Sequence, residues 1–192
     1  MKPIETEYNG LRFRSRQEAR TAIFLDALQI PYLYEPEGLE LSDGTRYLPD
    51  FYLTDSKQFL EVKGILSEYD EHKIKQAIAE GIDVVTLFED FSFTACWLRE
   101  DGNGTDRKDN SYLCKCLHCG KYWFNGESGD WKCRCCGASD GNGHFYEAIG
   151  GLPEYNSDDD REYYAVQLAR QARFEHGETP TKEDVKRKME EW

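Results

Sequence analysis

The chain has 192 residues, 39% of them hydrophobic and 32% charged, and carries a formal net charge of -13. This suits one soluble domain of ordinary size with a small appendage; no run approaches the roughly 20 apolar residues that span a bilayer. The N-terminal MKPIETEYNG has no apolar signal core, so a cytoplasmic location is expected, and the acidity argues against tight, non-specific binding to duplexes.

In chain order, the first predicted element is a helix over Ser15 to Leu28. Ser15 and Glu18 fit a capping box, Ala19, Ala22, Ile23 and Ala27 give an apolar face, and Pro31 marks the exit. Arg12, Arg14, Arg16 and Arg20 form a local basic cluster around its start. Short strands follow at Tyr32 to Tyr34 and Leu39 to Leu41, and Asp43-Gly44 signals a hairpin turn.

The turn leads into RYLPDFYLTDSKQFLEVKG, Arg46 to Gly64. This stretch reads as two strands, Tyr47 to Leu53 and Phe59 to Lys63. Side chains alternate along a strand, so Leu60 and Val62 face one side while Glu61 and Lys63 face the other. If the strands are neighbours, Asp50 joins them. Two carboxylates and a lysine converging there would bind a hard divalent cation through oxygen and leave an ammonium beside it. A second helix is predicted over Tyr69 to Glu80, with Ile74, Ala77 and Ile78 on its apolar face and Gly81 at its end. Asp83 to Phe88 is strongly β-branched and is expected to be a central strand.

Seven cysteines occur, six of them crowded between Cys114 and Cys136. Cys116-Leu-His-Cys119-Gly120 and Cys133-Arg-Cys-Cys136-Gly137 are two knuckles with the spacing of a zinc ribbon. Each delivers two thiolates to one point, and a tetrahedral Zn²⁺ takes four. Cys114, Cys135 and His118 remain as substitutes, Cys114 in place of Cys116 among them. Tyr122-Trp123-Phe124 and Trp131 supply the ribbon's apolar mass. Lys115, Lys121, Lys132 and Arg134, interleaved with aromatic residues, fit a surface for phosphates and stacked bases; the other reading of the ribbon is a metal-clamped brace. Cys96 is expected to be a small buried residue.

The sequence thus divides into a core at 1–95, a linker at 96–111, the ribbon at 112–148 and a helical tail at 149–192. The charge is uneven. The core holds 10 Lys+Arg against 18 Asp+Glu, residues 96–150 hold 7 against 8, and residues 151–192 hold 7 against 11. In the tail, Asn156 to Asp160 is an acidic loop, Arg161 to His176 is helical with a stripe of Tyr164, Leu168 and Ala172, and Thr181 with Asp184 caps a last helix. The tail packs on the core or on a second subunit.

Pro49-Asp50, ten intervening residues and Glu61-Val62-Lys63 resemble the signature of the PD-(D/E)xK nuclease superfamily, over roughly Leu11 to Asp90. The resemblance implies an α/β fold of the restriction-endonuclease type, a mixed sheet flanked by helices. It also implies a Mg²⁺- or Mn²⁺-dependent deoxyribonuclease of resolvase, repair, mobile-element or phage type. Asp50, Glu61 and the Val62 carbonyl would hold the metal, Lys63 would orient the attacking water, and Glu18 would complete the shell. DNA is the expected partner, with a homodimer or a larger recombination complex left open. The alternative function is a catalytically idle nuclease fold that binds nucleic acid, or binds and inhibits a protein partner, through its ribbon.

Overall fold

The computed structural model describes residues 3–89, 91, 93–100, 106–126, 132–142, 144–149, 161–175 and 178–191. Among these the fold is mixed α/β, with four helices and a mixed sheet. The chain divides into two units, Met1–Pro31 with Asn156–Trp192, and Tyr32–Tyr155.

In the first unit, β1 (Thr6–Tyr8) and β2 (Leu11–Phe13) form a hairpin around Asn9-Gly10. Both turn residues have positive φ, 50° and 74°, as a tight hairpin turn requires. Helix α1 (Arg16–Ala27) starts at Ser15, whose hydroxyl accepts from the Glu18 amide. Helices α3 (Arg161–Gln171) and α4 (Lys182–Glu190) pack against α1 and against each other. The buried residues of α3 are Glu162, Ala165 and Ala169, not the expected Tyr164, Leu168 and Ala172 stripe. Small alanines let helix backbones approach closely, so they form the seam and push the larger side chains to its margins. Asp26, buried on α1, accepts from the Tyr8 hydroxyl at 3.0 Å and pairs with Lys182 at 2.6 Å, tying hairpin, α1 and α4 together. The predicted capping box of Thr181 and Asp184 opens α4. The basic cluster is partly consumed within the unit: Arg12 pairs with Glu5, and Arg16 with Glu175.

The second unit contains β3 (Tyr32–Tyr34), β4 (Leu39–Glu40), β5 (Arg46–Tyr47), β6 (Phe51–Leu53), β7 (Gln58–Lys63), α2 (Glu68–Ala79), β8 (Val84–Phe88), β9 (Phe93–Glu100), β10 (Asp106–Cys116), β11 (Tyr122–Gly126) and β12 (Tyr146–Ile149). The main sheet runs β11-β10-β9-β8-β7-β6-β3, with β12 also on β10. Among the described strands only β7 and β8 pair in parallel, joined by α2, and β8 is interior as expected. The strand predicted over Tyr47 to Leu53 is in fact two, β5 pairing with β4 and β6 with β3 and β7. The break falls at Pro49, which has no amide hydrogen to donate to a ladder. Helix α2 lays Ile74 and Ala77 against Leu41, Tyr47 and Val84.

The stretch read as a linker, 96–111, instead holds most of β9 and the first half of β10, which pair antiparallel. Strand β10 then continues into the cysteine region, where its second half pairs with β11 and β12. The ribbon strands are therefore part of the main sheet. Residues 101–105, Trp131, the Cys96 side chain, the 156–160 loop and His176 lie outside the described residues. No helix among those described is long and apolar enough to cross a membrane.

Candidate active site and candidate metal centre

Strand register brings the expected acidic residues together. Phe51 pairs with Leu60 between antiparallel β6 and β7, so Asp50, one residue earlier, stands opposite Glu61. Asp50 and Glu61 are 5% and 1% exposed. Asp50 Oδ2 accepts from the Val62 amide at 2.7 Å. That amide has no ladder partner on the Pro49 side, and the aspartate takes the place of a strand carbonyl. Amide and carbonyl of one residue leave a strand on the same side, so the Val62 carbonyl is directed to the same edge.

Lys63 Nζ lies 2.8 Å from Glu61 Oε1 and 3.6 Å from Asp70 Oδ1. Burial alone would lower the lysine pKa. The charges of Glu61, Asp50 and Asp70 outweigh it and raise the pKa above its ordinary value, so the ammonium is held. The other Glu61 oxygen, Oε2, accepts from the Tyr47 hydroxyl at 3.0 Å. Burial first, and then the Glu61 charge, push the Tyr47 phenol upward, so it stays a hydrogen-bond donor. Tyr47 and Asp70 were not among the expected site residues. For Tyr47 the only sequence signal was a tyrosine three residues before the aspartate; for Asp70 it was the Ser67-x-x-Asp70 spacing of a capping box, which the structure contains.

Glu18 belongs to the first unit. Its Oε2 accepts from the Arg14 amide at 3.1 Å and its Oε1 from the Ser15 hydroxyl at 2.8 Å, so its carboxylate secures the start of α1.

The second cluster is sulphur. The ligand atoms of Cys116, Cys119, Cys133 and Cys136 all lie within 4.8 Å of one another. Cys116 and Cys136 sulphurs are 3.8 Å apart, and those of Cys119 and Cys133 are 3.9 Å apart. Four thiolates about 2.3 Å from a tetrahedral Zn²⁺ stand about 3.8 Å from each other, so the cluster could hold a metal such as zinc. Each knuckle closes through a glycine in the left-handed region, Gly120 at φ 68° and Gly137 at φ 76°. Their amides donate to the carbonyls of Cys116 and Cys133 at 2.8 Å. Burial pushes the Cys119 and Cys133 thiols up to about 12, so a bound metal must displace protons. Cys114 is fully buried and outside the cluster, Cys135 donates to the Tyr122 carbonyl, and His118 is exposed.

The expected nucleic-acid face of the ribbon is largely committed elsewhere. Tyr122, Trp123 and Phe124 are buried, with Trp123 stacked on Phe145. Lys121 pairs with Asp55 at 2.7 Å, and Arg134 pairs with Asp83. Between these pairs, fully buried Gln58 donates to the Phe124 carbonyl at 2.8 Å and accepts from its amide at 2.8 Å. An amide side chain thus imitates a strand edge and clamps β11 onto the start of β7, the strand that ends in Glu61 and Lys63.

No protein-family model, curated protein or solved structure matches the chain.

Proposed function

We propose that the second unit is a nuclease core of the restriction-endonuclease type that hydrolyses phosphodiester bonds in DNA with Mg²⁺ or Mn²⁺. The observation that carries this reading is the meeting of Asp50, Glu61 and Lys63 at the end of β7, two buried carboxylates with an ammonium 2.8 Å from one of them. The donor set suits a hard cation: carboxylate oxygens from Asp50 and Glu61, and the Val62 carbonyl on the same edge. Such a cation, when bound, neutralises phosphate charge and acidifies a bound water. The Val62 amide fixes the Asp50 carboxylate, and the Tyr47 hydroxyl fixes that of Glu61. Lys63 orients the attacking water and stabilises charge developing on the phosphate. Cys116, Cys119, Cys133 and Cys136 would hold Zn²⁺, which would brace the ends of the strands they sit on; soft thiolate and hard carboxylate sites select different metals.

A binding module without catalysis is the rival reading, and the net charge of -13 favours it. The test is incubation with Mg²⁺ or Mn²⁺ on linear, circular, single-stranded and branched DNA. Metal-dependent cleavage of at least one of these is expected. Binding without cleavage on all of them favours the rival.

A further inference from the structure

Asp70 is the third residue of α2, and its two oxygens have separate partners. Oδ2 accepts from the Ser67 hydroxyl at 2.5 Å and the Ser67 amide at 3.3 Å, closing the capping box. Oδ1 faces two ammonium groups, Lys73 at 3.2 Å and Lys63 at 3.6 Å. Lys73 is itself confined: its side chain is 14% exposed, and its Nζ lies 5.7 Å and 5.2 Å from the ring centroids of Tyr47 and Tyr69. A continuous polar row therefore runs from neutral Tyr47 through the charged groups of Glu61, Lys63, Asp70 and Lys73.

Lys63 sits between two carboxylates but is closer to Glu61, which on the reading above is a metal ligand. A divalent cation on Glu61 competes for the oxygen that Lys63 uses and repels its ammonium. The lysine then needs another anchor on the same side of the site, and Asp70 supplies one. Lys73 offsets the charge of Asp70. Counting Asp50, Glu61 and Asp70 against Lys63 and Lys73, the group carries one net negative charge, which a divalent ion converts to one net positive charge facing a phosphate.

We propose, resting on the nuclease reading, that Asp70 is a positioning residue: it receives the Lys63 ammonium when metal occupies Glu61 and holds it over the reacting phosphate. The capping box gives Asp70 a fixed place, and α2 carries that place to the end of β7.

The test is single-turnover DNA cleavage at saturating Mg²⁺ by wild type, Asp70→Asn, Asp70→Glu, Ser67→Ala, Lys63→Ala and the Lys63→Ala/Asp70→Asn double variant. Asparagine keeps an oxygen for the cap but removes the charge. Asp70→Asn is expected to slow cleavage about tenfold or more at saturating Mg²⁺ while DNA binding is not weakened, because the substitution removes a negative charge. Asp70→Glu recovers most of that loss. Ser67→Ala removes a hydroxyl that holds Asp70 but leaves its charge, so it is expected to slow cleavage less than Asp70→Asn does, which separates the charge from the cap. In the Lys63→Ala background Asp70→Asn has no further effect, because the residue acts through Lys63. A wild-type rate in Asp70→Asn, or an equal loss with and without Lys63, overturns the proposal. Wild type that cleaves no DNA overturns the nuclease reading itself, a distinct failure.

Discussion

Glu61 is a buried carboxylate with both oxygens engaged, one by Lys63 and one by Tyr47. Its place, with Asp50 and Lys63, was legible because strand alternation needs only a two-residue period and neighbouring strands. Tyr47 was not legible as a partner of Glu61, because its hydroxyl reaches that carboxylate only once β5 lies under α2. Asp70 carries a pH signature. Burial raises its carboxyl, but the Ser67 hydroxyl and the Lys63 and Lys73 ammonium groups outweigh this and hold it at about 2, below its ordinary 3.8. A lowered folded pKa stabilises above the unfolded value, so the contribution of Asp70 is full above about pH 4 and is lost as pH falls through about 2. Acid unfolding followed by helical circular dichroism should show wild type above Asp70→Asn in stability near neutrality, with the gap closing across that window. Glu18 makes a different prediction. Glu18→Ala removes bonds to Arg14 and Ser15 and should lower stability by about 1 kcal/mol, as lost caps do. Thermal denaturation of the purified variant checks this.

At the scale of elements, α1 and α2 were readable to within a residue or two, because caps and turns are local: Ser15 and Gly81 stand where the chain needs them. The helix expected over Arg161 to His176 instead ends at Gln171, and the β1-β2 hairpin was not foreseen. The linker was misread because β10 is polar over its first half and depends on β9 for its pairing. The ribbon was readable from cysteine spacing, but its attachment was not, since Gln58 and Phe124 are 66 residues apart. That attachment changes what zinc loss should do. Gln58→Ala removes both bonds to the Phe124 backbone, at a cost of about 0.5–1.5 kcal/mol each. It should lower the denaturation midpoint of the second unit while zinc content stays at one ion per chain. Replacing Cys119 and Cys136 by Ser should abolish zinc binding and also lower that midpoint, because the ribbon strands share the sheet with β7. A midpoint unchanged by zinc loss would show that the ribbon is energetically separate.

For the whole molecule, the proposed nuclease reading has to reconcile a net charge of -13 with a phosphate substrate, and it does so locally. On that reading a cation bound by the acidic residues at the end of β7 would make the site attractive to phosphate. The mixed sheet and the cysteine cluster were foreseeable from motif and spacing. The partition into units was not: the tail helices pack on α1, a tertiary preference carried by Ala165 and Ala169. On the proposed reading the carboxylate and thiolate sites would differ in softness, so EDTA should stop cleavage quickly and added Mg²⁺ should restore it while zinc stays with the cysteines. The most direct measurement is single-turnover cleavage of DNA in Mg²⁺ by wild type and by folded Glu61→Ala. The account predicts cleavage by wild type and only the background of metal-containing buffer for the variant; turnover by Glu61→Ala at the wild-type rate would contradict it.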